Sequence, residues 1–316
     1  MSASLRRHCL SALSVLLLLG VGACGEDTPA TESGASADRL GAVTISGEVG
    51  IIPSVTWKSR MSATTAEKET IVAGEGPAVT EGGSVLVQYW IGNGYAQEKA
   101  VSSYDEGKAE LFTLNADLNP LFADAIEGAT VGSRVAVTSS ASEAFGEGGN
   151  PSLGIGNSDS VLIVMDLLSS LAAEPSGAPQ PAPSWMPAIT VTDGDPSGFD
   201  FAGVPQPAGM FRKATLLAGE GERVRKGMTV AVRYLGQVYN GEAPFDENYT
   251  GSPATFGIGV GQVISGWDKQ VVGSTVGSRI VIEVPPKLGY GAEGNSQAGI
   301  AGTDTLFFVI DILAAG

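Results

Sequence analysis

Histidine and cysteine are nearly absent from this 316-residue chain. Its one histidine is His8 and its two cysteines are Cys9 and Cys24, all within the first 24 residues. Beyond that point there is no imidazole or thiol for a Ser-His-Asp or Cys-His nucleophile, a disulfide or a Cys/His zinc site. Basic residues are scarce too: 18 Lys and Arg stand against 34 Asp and Glu, a formal charge of −16. A nucleic-acid partner is not expected, since binding one requires a basic footprint. No metal or other cofactor is expected either, and any catalysis must rest on shape, burial and hydrogen bonds. What is abundant is glycine, at 44 residues, with 43% hydrophobic and 16% charged residues. That composition fits globular domains rich in turns and strands.

Arg6 and Arg7 precede an apolar run from Leu10 to Ala23 that ends Val21-Gly22-Ala23-Cys24. A basic start and a short apolar core read as a secretory signal over residues 1–23, too short to span a bilayer as a helix. The end of the run resembles the bacterial lipobox, which implies lipidation of Cys24 and an extracytoplasmic chain anchored to the cell membrane. Residues 24–40 are polar and read as a flexible tether with a span of about 20–24 Å.

The chain then repeats itself. A displacement of 145 residues lays Lys68-Glu69-Thr70-Ile71-Val72-Ala73-Gly74-Glu75-Gly76 over Lys213-Ala214-Thr215-Leu216-Leu217-Ala218-Gly219-Glu220-Gly221. Tyr89 falls on Tyr234, Val131-Gly132-Ser133-Arg134 on Val276-Gly277-Ser278-Arg279, and Asp166 on Asp311. The middle of each copy, about 90–118 and 235–263, calls for compensating gaps. Two domains follow, 41–171 and 189–316. Between them residues 172–188 hold five prolines, which favours an extended, semi-rigid spacer of up to roughly 50 Å. Val230–Tyr234, Arg279–Val284 and Leu306–Ile310 are short β-branched and aromatic runs and read as strands. One helix fits Ser265 to Val271, with Ser265 as its cap and Asp268 as capping-box partner. The expected class is α+β: in each domain an antiparallel sheet wrapped over one short helix.

Four segments of the second copy occur in order: Gly241 to Asp246, Val263-Ile264-Ser265-Gly266-Trp267-Asp268, Leu288-Gly289-Tyr290-Gly291-Ala292 and Thr305-Leu306-Phe307-Phe308. They resemble the motifs of the FKBP-type peptidyl-prolyl cis-trans isomerases. The resemblance implies rotamase activity with Trp267 as pocket floor, Tyr234, Phe245, Val263, Ile264 and Phe308 as walls, and Ile300 at the rim. It also implies hydrogen bonds to substrate carbonyls from the Ile264 amide and the Tyr290 hydroxyl, with Asp246 orienting the bound amide. Singly, these residues have plainer readings: Trp267 and Phe308 as core, Asp246 as a turn cap, Tyr290 as a loop aromatic. The chain departs from the family pattern at Ala254, where an aromatic wall is common, and in the loop 247–252, which lacks a basic residue near the aspartate.

In the first copy Phe122 stands at the place of Trp267, Phe145 at that of Tyr290, Ile163 at that of Phe308 and Asn119 at that of Ile264. Tyr104-Asp105-Glu106 is aligned with Phe245-Asp246-Glu247. This copy reads as degenerate, a weak isomerase or a peptide-binding module. The expected partners are proline-containing segments of secreted or cell-envelope proteins. The competing reading is a non-catalytic, chaperone-like lipoprotein.

Overall fold

The computed structural model describes residues 36–62 and 65–316. The leader and Cys24 lie outside the described residues. Among those described, no helix is long and apolar enough to cross a membrane. The end of the expected tether is held rather than free: Ser36–Asp38 pairs in parallel with Arg60–Ser62.

The β-branched runs form two antiparallel sheets of the same strand order. The first runs Glu67–Val72, Arg134–Ser140, Ser160–Ser170, Ser84–Asn93 and Glu98–Ser102, with Glu110–Thr113 also paired to Ser84–Asn93. The second runs Ala178–Pro179, Arg212–Ala218, Arg279–Val284, Leu306–Ala315, Thr229–Val238 and Asp246–Glu247, with Ala254–Gly257 also paired to Thr229–Val238. Each sheet carries a helix on one face, Pro120–Ile126 in the first unit and Ser265–Val271 in the second. The first unit adds two single helical turns, Ser103–Glu106 and Ala141–Phe145. The expected capping box does not form. Ile264 is the N-cap without a side-chain bond, and Asp268 instead accepts the Gly259 and Gly261 amides at 2.8 Å each.

The opposite face of each sheet is also covered. A hairpin of Val43–Ser46 and Ser54–Trp57 packs Val43, Val55 and Trp57 onto Trp90, Leu162 and Val164. In the second unit Ala188–Thr192 and Asp195–Asp200 form the counterpart, which turns at Asp193-Gly194, both with positive φ. Phe199 and Phe201 there pack onto Leu235, Phe307 and Val309. Burial on both faces explains why Leu306–Ala315 is apolar at nearly every position instead of alternating.

The best-preserved stretches of the repeat touch one another. Gly74 donates to the Ser133 hydroxyl at 2.8 Å and Gly219 to that of Ser278 at 3.0 Å. A Cβ on Gly219 would lie 2.2 Å from the Val276 carbonyl oxygen, so only glycine fits this crossing. Next to it, Arg134 and Asp166 form a wholly buried ion pair at 2.7 Å. The guanidinium also donates to the carbonyls of Ser46, Gly47, Glu48 and Ile51, clamping the hairpin turn to the sheet. Arg279 and Asp311 repeat the pair with Arg279 21% exposed.

The proline-rich segment is not a free spacer. Ala178–Pro179 adds a short strand to the edge of the second sheet, and the amides of Ser176 and Gly177 both donate to the Gly277 carbonyl. Proline's missing amide is tolerated there because an edge strand can face that side away from its partner. The units also share a small core. Leu86 and Ala109 of the first are buried with Ala231 and Ala314 of the second, and the Ala109 amide donates to the Thr229 hydroxyl at 2.8 Å.

Candidate active site

In the second unit the sheet presents Tyr234 and Phe308 towards the helix that carries Trp267. Tyr234, Phe256 and Phe308 all stand nearly perpendicular to the indole, with centroids at 5.2, 5.5 and 5.5 Å. In each pair, edge-to-face packing sets a positive ring edge against a negative ring face. Phe245 stands edge-on to Phe308 at 5.7 Å and continues the wall. Trp267, Phe308 and Ile300 are buried, while Tyr234, Phe245, Val263, Ile264 and Tyr290 are half-buried around the same cluster. The structure thus brings together the residues expected at the pocket.

Gly236 makes this arrangement possible. A Cβ there would lie 2.6 Å from the Phe245 ring and 2.7 Å from the Phe308 ring. Two residues that the sequence reading passed over as site residues also contribute. Phe256 is one wall of the box. Asn248 accepts the Tyr234 amide at 2.7 Å and donates to the Val232 carbonyl at 3.0 Å, standing in for a partner strand beside Tyr234. The place of Phe256 in a short strand after the first motif was a usable signal.

Polar groups sit on one side of the cleft. The Tyr234 hydroxyl donates to Asp246 Oδ2 at 2.7 Å. Burial pushes the Asp246 carboxyl above the usual carboxylate range, opposed by hydrogen bonds from Tyr234 and the Glu247 amide. Burial likewise raises the Tyr290 hydroxyl, with Asn295 lowering it and Asp246 raising it further. Tyr290 lies in the loop between Arg279–Val284 and Leu306–Ala315, built from three short 3-10 turns. Mutual backbone bonds between Asn295 and Ile300, at 2.8 and 2.9 Å, close that loop and seat Ile300 at the rim. The Ile264 amide at the helix N-terminus has no hydrogen-bond partner among the described residues. It is a donor free to meet a carbonyl.

The first unit keeps the frame and loses the box. Tyr89, Phe112 and Phe122 lie almost parallel, with interplanar angles of 16° to 28°, rather than edge-on. Asn119 caps the helix by accepting the Leu121 amide and donates to the Ala144 carbonyl at 3.0 Å, tying the helix to the segment that carries Phe145. The alignment of Tyr104-Asp105-Glu106 with Phe245-Asp246-Glu247 is wrong. Gly236 pairs with Asp246 and Ile91 with Val101, so Val101 and Ala100 occupy the places of Asp246 and Phe245 without any gap. Tyr104 lies on the opposite face, where its hydroxyl donates to Asp166, and Asp105 pairs with Lys99 at 2.6 Å. The Tyr89 hydroxyl donates instead to Glu110 at 2.8 Å.

Residues 220–313 match the family model described as FKBP-type peptidyl-prolyl cis-trans isomerase. The chain is 40% identical over 116 residues to the FK506-binding protein of Streptomyces anulatus, covering 36% of this chain and 93% of that protein. It is 42% identical over 95 residues to FK506-binding protein 4 of Gibberella zeae, of which it spans only 19%. Among solved structures, that of AtFKBP13 is 32% identical and covers 32% of this chain and 90% of its own, with a TM-score of 0.30.

Proposed function

This chain belongs to the FKBP-type peptidyl-prolyl cis-trans isomerase family and is a rotamase, and on that premise we propose that turnover takes place in the aromatic box of the second unit. The observation that carries this reading is Trp267 ringed edge-on by Tyr234, Phe256 and Phe308. Amide resonance sets a rotation barrier of about 18–20 kcal/mol. Twisting the bond removes that resonance and makes the C–N bond less polar. An apolar box therefore favours the twisted state over the planar amide, which water solvates well. The Ile264 amide and Tyr290 hydroxyl hold the flanking carbonyls, and Asp246, fixed by Tyr234, orients the bond. A thousandfold acceleration requires only about 4 kcal/mol, within reach of these contacts. No bond to the protein forms.

The leader motif supports a location outside the cytoplasm. Two acyl chains at Cys24 give stable anchoring where one does not, so secreted or cell-envelope polypeptides are the clients that a tethered isomerase meets. The parallel ring stack and the Asn119 tie favour a first unit that does not turn over prolyl bonds. Two-dimensional exchange NMR on a proline peptide tests the proposal. Residues 25–316 accelerate cis–trans exchange, and a folded Trp267 variant does so much less. Equal rates with and without the folded chain overturn it.

A further inference from the structure

The two units place different side chains at one point of the same cleft. Glu110 pairs with Val87 across the first sheet, and Ala254 pairs with Val232 at the matching place in the second. From there the Glu110 carboxylate reaches the cleft tyrosine, Tyr89, at 2.8 Å. A side chain at this strand position thus spans the distance to the tyrosine hydroxyl. Ala254 ends at Cβ, so the same stretch of the second cleft is left unspanned. Its far side is formed by the Tyr234 hydroxyl and the Asp246 carboxylate, joined at 2.7 Å.

Among the described residues that carboxylate has no counter-ion. None of the ion pairs among the described residues involves Asp246 or its neighbour Glu247. Glu247 is exposed, and its carboxylate is held by the Thr250 amide at 3.2 Å and hydroxyl at 2.8 Å. Of the other acidic residues near the cleft in sequence, Glu242 and Glu293 are exposed and equally unpaired.

We propose that the space beside Ala254 is a specificity subsite for a cationic side chain, so that favoured substrates carry lysine or arginine next to the proline. The subsite presupposes turnover in the second cleft. A lysine stem is apolar enough to lie along Ala254 and the Tyr234 ring while its ammonium reaches Asp246. A half-buried carboxylate without a cationic partner gains more from such a cation than a fully solvated one.

Exchange NMR with residues 25–316 and peptides bearing Lys, Leu or Glu on either side of proline tests this. The expected ratio of kcat/KM for Lys over Glu is about two- to fivefold at low salt, the upper part of the range for an exposed ion pair. It falls towards one in 1 M salt, where the screening length is about 3 Å. Ala254→Lys, which places a resident ammonium in the subsite, brings the ratio to about one or below. Should that variant not fold, the wild-type ratio and its salt response decide alone. A ratio near one while the Leu peptide is still exchanged overturns the subsite and leaves prolyl turnover standing. Failure to exchange any peptide overturns turnover in this cleft, and the subsite with it.

Discussion

If the aromatic box supplies most of the catalysis, a change of floor must cost more than a change of donor. Trp267 makes three edge-on ring contacts at 5.2–5.5 Å and is 4% exposed. Such pairs are each worth about 0.5–1.5 kcal/mol beyond area burial. Trp267→Leu keeps the site apolar but removes all three. If the box provides at least half of the roughly 4 kcal/mol behind a thousandfold acceleration, the folded variant loses about 30-fold in kcat/KM. Tyr290→Phe removes one hydroxyl and copies Phe145 of the first unit. One net hydrogen bond is worth about 0.5–1.5 kcal/mol, a loss of about 2- to 13-fold. Trp267→Leu also destabilises the core, so rates are compared on samples shown to be folded by circular dichroism. Exchange NMR on one proline peptide reads both. A Tyr290→Phe loss larger than that of folded Trp267→Leu would refute the reasoning, because hydrogen bonding rather than the box would then dominate.

The remaining expectations concern assembly and charge. Residues 189–316 alone keep the exchange activity of residues 25–316 but melt lower, by about 3–5 °C for each kcal/mol lost, because Ala231 and Ala314 lose their cover and Thr229 its partner; activity found mainly in residues 36–171 would reverse the assignment of the units. Arg134→Leu strands the buried Asp166 and costs about 3–5 kcal/mol in urea unfolding, more than Arg279→Leu, whose site is 21% exposed; equal losses would show that burial is not the cause. The raised Asp246 carboxyl favours the folded state while protonated, and that advantage is lost as pH rises through its folded pKa. Asp246→Asn, neutral throughout, therefore melts above wild type at pH 7 by a margin that narrows towards pH 4, while its exchange rate falls; an unchanged melting difference across that range counts against the burial argument. Finally, Cys24→Ala moves the protein from the membrane to the soluble fraction, and unchanged partition without an acyl label in the wild type counts against lipidation.

Much of the second unit was legible because its chemistry is local. The helix over Ser265–Val271 and the strands around Val230, Ile280 and Phe308 follow from residue type and period. Most of the expected pocket residues lay in motifs whose letters survive, while Tyr234, Phe256 and Ile300 lie outside them. The first unit shows where reading fails. Ala100-Val101 shares no character with Phe245-Asp246, so only strand pairing reveals the correspondence, and Tyr104 drew the alignment towards itself by resemblance alone. The covering hairpins were missed although Asp193-Gly194 is a strong turn signal, because their short strands make sense only against the sheet face they bury. The fate of the proline-rich segment was not visible either. Composition specifies extension, and only the exposed edge at Leu217–Ala218 determines what that extension lies against.

The exchange of volumes around Gly236 constrains how the first cleft could be rebuilt. Gly236, Phe245 and Phe308 fill one space in the second unit, and Ile91, Ala100 and Ile163 fill the matching space in the first. Restoring Phe at position 100 or 163 alone drives a ring into Ile91, and trimming Ile91 to glycine alone opens a void between Ala100 and Ile163. Each single step is destabilising, by overpacking or by a cavity, while the completed triple change is not. The first cleft therefore cannot be converted into an aromatic box one residue at a time: Ile91→Gly, Ala100→Phe and Ile163→Phe have to be made together.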